Sequence, residues 1–239
     1  MELEICAISL TSVRNAAQAG ASRVELCSGY ALGGLTPSWG LLQSSVALKT
    51  IPIHCLIRPR EGNFCYAPDE VTTMCEDIRM AREVGAAGVV VGALTPEGAL
   101  DLSALEAMMV EAVGLELSFH RAFDAVQHPE EVIQQLAAMG FRRILSAGAA
   151  PSAYEGLAKL KAWETATPKG LAFQPGGGVN TTNCKAFQEA GFKHLHCSAF
   201  TPTIPLDTID QNDSFSLPPG GHSDFETIKK MVSILKIPS

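Results

Sequence analysis

The sequence predicts a (β/α)8 TIM barrel formed by all 239 residues, 1–239, as a single domain. Three observations carry this expectation. The length is about that at which a parallel barrel closes as one unit. Four times a helical pattern ends in glycine and an apolar run follows four residues on, at Gly20/Val24, Gly85/Val89, Gly140/Ile144 and Gly191/Leu195. Glycine takes the left-handed conformation that stops a helix, and a short loop then feeds a buried strand. Short apolar, β-rich runs number eight, which is the closing number.

Taken in order, strands are expected near residues 3–7, 23–27, 53–58, 88–92, 115–120, 142–146, 170–174 and 193–197. The helices between them carry start signals: Thr36 before Pro37, Pro68 with Asp69 and Glu70, Asp101, Pro129 with Glu130 and Glu131, Asn180, and Ser223 before Asp224. Val71, Met74, Ile78, Ala81 and Val84 recur at the spacing of a helix packed on a sheet. The alternative is an open doubly wound sheet, but no GxGxxG follows the first strand. Residues 201–222 hold four prolines and follow the last strand. They are expected over the barrel mouth, as a lid loop or as a plain surface connection.

Composition narrows the function. The chain is 46% hydrophobic but only 6% aromatic, which suits compact side chains layered between strands and helices. A formal net charge of -7 with no Lys/Arg run gives no attraction to nucleic acid or anionic lipid. No basic n-region precedes an apolar run at the N-terminus, and no stretch approaches a membrane span, so a cytoplasmic protein is expected. Seven cysteines without CxxC spacing indicate neither a disulfide framework nor a zinc knuckle.

Polar residues at strand ends locate a candidate site. In Val24-Glu25-Leu26-Cys27, Glu25 and Cys27 share a face, and the first strand repeats the pattern with Glu4 and Cys6. If the apolar residues between them meet the helices, adjacent strands bring two thiols together at the rim with two carboxylates below. The same cysteines also suit a role as small buried apolar residues. The third strand exits through Arg58 and Arg60, which suit a carboxylate or phosphate, or an internal Arg58–Glu25 pair. The fifth ends in His120, Arg121 and Asp124, a candidate acid/base with a cation and a carboxylate beside it.

An anion cradle is the other candidate: Ser146 and Gly148 after strand six, Gly176, Gly177 and Gly178 after strand seven, and Ser198 after strand eight. Strands seven and eight carry the usual phosphate position of this fold, and a helix starting at Asn180 would add its positive end. His196 sits beside the cradle, alternating with His194 on strand eight; either can equally be a structural histidine.

At these residues the sequence resembles the CutC copper-homeostasis family. The matching stretches are LEIC, GASRVELCSG with GGLTPS, IRPREGNFCY, GAAGVVVGAL, SFHRAFD, ILSAG and PGGGVNTTN, spanning residue 3 to about 198. The resemblance implies a TIM barrel and copper handling, with ligands at Cys6 and Cys27, and leaves open whether the chain is an enzyme. This chain departs from the family with Ser146-Ala147-Gly148 in place of Thr-Ser-Gly and with Gln174-Pro175 before the glycines, and residues after 200 do not align.

Two functions are therefore weighed. In one, thiolates of Cys6 and Cys27 hold copper(I), a soft ion. In the other, an enzyme acts on a small phosphorylated or carboxylated metabolite: Arg58, Arg60 and the glycines bind the anion, His120 or Glu25 moves a proton, and Arg121 or Asp124 orients the base. The expected partner is a copper ion or a small anionic ligand, with a homo-oligomer left open.

Overall fold

The computed structural model describes residues 1–203 and 220–237. Eight parallel strands are present: β1 (Glu2–Ala7), β2 (Arg23–Leu26), β3 (Ile53–Leu56), β4 (Gly88–Val91), β5 (Glu116–Phe119), β6 (Arg143–Ser146), β7 (Ala172–Pro175) and β8 (His194–Cys197). They pair in the order β7-β6-β5-β4-β3-β2-β1-β8, and β7 and β8 approach each other across the remaining seam. The result is a nearly closed barrel, as expected. Each strand lies within two residues of its predicted bounds at either end.

The helices are α1 (Leu10–Ala19), α2 (Trp39–Ala47), α3 (Pro68–Glu83), α4 (Leu102–Glu111), α5 (Pro129–Ala138), α6 (Leu157–Ala166), α7 (Cys184–Glu189) and α8 (Phe225–Leu235). The four repeat glycines, Gly20, Gly85, Gly140 and Gly191, have φ between +84° and +95°, the left-handed stop that the repeat requires. Asp101 and Asp224 cap α4 and α8 by accepting from the backbone N–H of Ala104 and Thr227. Pro68 and Pro129 open α3 and α5. Asn180 does not start α7. Its side chain accepts from the Thr182 N–H and donates to the Gly178 carbonyl, which builds a turn and delays the helix to Cys184.

The main core lies between strands and helices. Leu3, Ile5, Val24, Leu26, Val89, Val91, Phe119, Ile144, Phe173 and Leu195 point outward and are fully buried there, each contributing about 1.5–3 kcal/mol by leaving water. Met74, Ile78 and Ala81 of α3 meet them at the predicted spacing.

The barrel interior is different: apart from a small apolar set of Cys27, Leu56, Val90 and Leu145, it is polar. Charge is not confined to the C-terminal ends of the strands, as the sequence had suggested. Arg23, on the inward face two residues before Glu25, donates to Glu4 Oε2 (2.6 Å), Glu2 Oε2 (2.5 Å) and Gln174 Oε1 (2.9 Å). Arg143 donates to Glu116 Oε2 at 2.8 Å, beside His54. These pairs survive inside because each buried charge has hydrogen-bonded partners.

Of residues 201–222, positions 201–202 and 221–222 belong to a short antiparallel hairpin, β9 (Phe200–Pro202) with β10 (Gly221–Ser223). The rest of the expected lid, 204–219, lies outside the described residues. Among the described residues no helix is long and apolar enough to cross a membrane.

Candidate functional site

At the C-terminal ends of the strands the barrel opens into a cavity of about 520 Å³. Its floor is built by β1, β2 and β8. The register sets Cys6 beside Glu25, and because Val24 and Leu26 face the helices, Glu25 and Cys27 face inward. The Cys6 and Cys27 sulfurs are 3.5 Å apart. Ligand atoms of Cys6, Glu25 and His196 all lie within 4.8 Å of one another. The strand reading of two thiols over two carboxylates describes this floor.

Glu4, below it, organises His196. Arg23 and Gln174 donate to Glu4, which in turn accepts from His196 Nδ1 at 2.8 Å. Burial opposes the charge on Glu4, but Arg23 and His196 outweigh it and hold its carboxyl well below the usual range. A carboxylate can only accept, so Nδ1 carries a proton and Nε2 faces the Cys6–Glu25 side. His196 is pushed well above the ordinary imidazole value: burial works against this, and Glu25, Cys6 and Glu4 override it. Glu25 is pushed up to about 7, chiefly by burial, and its Oε2 has no partner among the described residues. The Cys6 thiol is raised well above its ordinary value by its hydrogen bond to Cys27 and by burial.

His120 stands on the opposite wall. Gly92 makes room for it, since a Cβ there would lie 2.5 Å from the ring. The Ala122 N–H donates to Nδ1, so the neutral ring carries its proton on Nε2, a buried atom with no partner among the described residues. Burial, reinforced by Arg58, lowers this imidazole to about 3. Arg58 does not pair with Glu25. It donates instead to the carbonyls of Leu32, Gly34 and Gly62, tying the loops after β2 and β3 together with its guanidinium over the Phe64 ring.

Other predicted residues fall outside the cavity. Arg60 turns away to Glu70, Asn63 and the Cys65 carbonyl, because a carboxylate on α3 offers it a bidentate partner. Asp124 accepts from Ser146 Oγ and the N–H groups of Ala147 and Ala149, and pairs with Arg121. It fixes the loop after β6 rather than orienting His120. Arg121 itself lines the cavity.

The cradle is correspondingly smaller than expected. Ser146 is fully buried and bonded to Asp124 and the Gly148 N–H. A Cβ on Gly148 would lie 2.7 Å from the Gly156 carbonyl, so that glycine serves a backbone contact. Gly176 donates its N–H to the Ser146 carbonyl and leaves room for Leu145. Gly177, Gly178 and Ser198 do line the cavity, and the N–H groups of Gly177 and Gly178 have no acceptor among the described residues. Helix α7, with six residues, starts too late to assist them.

Sequence reading missed the rim. Tyr30 stacks on Phe200 with centroids 4.4 Å apart and donates to Ser198 Oγ. Phe64 packs on His120 at 4.9 Å, and Leu145 and Val179 complete the wall. Phe64 lies within IRPREGNFCY, which was its one available signal; Tyr30 sits in a loop whose path only the tertiary structure sets.

Comparison with known proteins assigns the family. The CutC family profile matches residues 1–201. The chain belongs to the CutC family. A CutC family protein from Porphyromonas gingivalis is 43% identical over 199 residues, covering 83% of this chain and 80% of the relative. One from Bacteroides thetaiotaomicron is 40% identical over 225 residues, covering 93% and 90%. A crystal structure of a CutC protein from Streptococcus agalactiae superposes with a TM-score of 0.78 at 36% identity, over 82% of this chain and 97% of that one. The CutC assignment agrees with both the barrel and the motifs that suggested it.

Proposed function

We propose that this CutC-family protein binds copper(I) at the floor of the C-terminal cavity, through Cys6, Cys27 and His196, with Glu25 alongside. The observation that carries the reading is the 3.5 Å approach of the two sulfurs. With metal–thiolate bonds of about 2.3 Å, both can reach one ion. Two thiolates and an imidazole are the donor set a soft monovalent ion prefers. Glu4 on His196 Nδ1 is the outer carboxylate that commonly orients a metal-bound imidazole. Because the Cys6 thiol is raised and His196 is held protonated, the ion must displace protons, so binding strengthens as pH rises.

The test is a competition titration against a chromophoric Cu(I) chelator, on protein purified without an affinity tag. Wild type should bind one Cu(I) and Cys27→Ser should lose stoichiometric binding. Full affinity in Cys27→Ser removes copper from this position.

A second reading is favoured by the cavity volume, which far exceeds one ion, and by Glu25 Oε2 and His120 Nε2, both buried on its walls and without a partner among the described residues. Glu25, titrating near neutrality, can take or return a proton, while the neutral His120 donates from Nε2 to a substrate oxygen. Arg58, Arg121 and the Gly177 and Gly178 N–H groups suit a small carboxylated or phosphorylated metabolite. Glu25→Gln separates the readings: it should retain one Cu(I) per chain, yet stop proton transfer in a metabolite reaction.

A further inference from the structure

The opposite, N-terminal mouth of the barrel holds a second hollow, of about 630 Å³. Four fixed cations line it, Arg23, Arg142, Arg143 and Lys193, with the imidazoles of His54 and His194, against the carboxylates of Glu2 and Glu116. This positive concavity sits on a chain of net charge -7. Focused charge of the opposite sign to the whole molecule is a feature of ligand sites rather than of general solubility.

The internal pairing accounts for only part of it. Arg23 is consumed by Glu4, Glu2 and Gln174. Arg143 gives Nη2 to Glu116 but keeps a buried Nε without a partner among the described residues, on a side chain that is only 6% exposed. Arg142 and Lys193 are exposed at the rim, in the turns entering β6 and β8, and make no ion pair among the described residues. His194 Nδ1 lies 3.0 Å from Glu2 Oε2, so Glu2 is shared between His194 and Arg23. A purely structural ion-pair network would satisfy its buried donors, because an unmatched one costs its full desolvation. Here Arg143 Nε remains a buried donor without a partner among the described residues, and the two exposed rim cations have no paired carboxylate among them. His54 reports the same field: burial lowers it to about 4, and Arg143 and Arg23 push it down against the pull of Glu4 and Glu116.

We propose that this N-terminal hollow binds a small, multiply charged oxyanion of the phosphate class, on Arg143 with Arg142 and Lys193 closing over it. Guanidinium forks match tetrahedral oxyanions, and the unmatched charge excludes a metal cation. The site is separate from the C-terminal cavity and independent of copper.

The experiment titrates inorganic phosphate into the full-length protein, with 15N-labelled histidine rings observed by NMR. The ring signals of His54 and His194 should move saturably, while those of His120 and His196 at the other mouth stay in place. Arg142→Glu with Lys193→Glu alters only exposed rim positions, so folding is preserved; it should weaken phosphate binding about tenfold or more. Absence of saturable movement at His54 and His194, movement confined to His120 and His196, or unchanged affinity in the double variant each overturns the proposal.

Discussion

Replacing Glu25 by glutamine should make the protein more stable at alkaline pH, and the size follows from its surroundings. The carboxyl is buried, lacks a partner for Oε2 and is pushed from 4.5 to about 7, so ionising it in the folded state is unfavourable. Because the folded value exceeds the unfolded one, the native state holds the extra proton between these two pH values. The associated stability is complete below about pH 4.5 and is lost as pH rises through 7. A gap of about 2.5 units at 1.36 kcal/mol each amounts to about 3 kcal/mol by pH 8 to 9. Glutamine cannot ionise and keeps the neutral form throughout. Urea denaturation followed by circular dichroism, at intervals from pH 4.5 to 9, should show Glu25→Gln gaining on wild type by about that amount, or ~6–12 °C in Tm for a chain of this size. The change of the difference with pH is the readout, since a buried amide adds a constant offset. If the two stability curves run parallel across this range, Glu25 is not a buried carboxyl with a raised pKa, and its role as a proton carrier near neutrality falls with it.

His120 should remain neutral with its proton on Nε2 from pH 5 to 9, because burial and Arg58 hold it at about 3; a ring titration midpoint between 5 and 8 in a nitrogen-correlated NMR spectrum contradicts this. Arg23→Met should destabilise the protein by about 3–5 kcal/mol in equilibrium unfolding, since it leaves Glu4 charged and buried, and an effect under 1 kcal/mol would mean that the interior network is slack. Gly148→Ala should cost about 2–4 kcal/mol through its positive φ and the Gly156 carbonyl, without altering Cu(I) stoichiometry, because this glycine serves a backbone contact and not the cavity.

Much of the architecture was legible along the chain, because it rests on local physics. A glycine at each of four helix ends, prolines and aspartates at helix starts and apolar alternation in the strands are short-range signals. They located eight strands within two residues. Alternation also placed Glu25 and Cys27 on the inner face and brought Cys6 toward Cys27, since neighbouring strands under 5 Å apart leave such pairs little freedom. α6 is missing from the start signals read in the sequence, although one is present: Ser152 accepts from the Glu155 N–H in the turn that leads into the helix, while Gly156 at its N-terminus caps nothing with a side chain.

What the tertiary structure decided was the partner of each long polar side chain. Arg58 and Arg60 share a strand exit in sequence, yet one is drawn to loop carbonyls beside the cavity and the other to Glu70 on α3. Asp124 reads like a base-orienting carboxylate beside His120, but the N–H groups of the next βα loop claim it. Glycines that read as a single cradle divide into two that line the cavity and two required by packing. Arginines and carboxylates reach across several strands, and which neighbour they find depends on barrel closure, a property of all eight strands together. Sequence periodicity determined the faces, therefore, and the closed barrel determined the pairings, because direction is set residue by residue while long-range contact requires the whole chain to have folded.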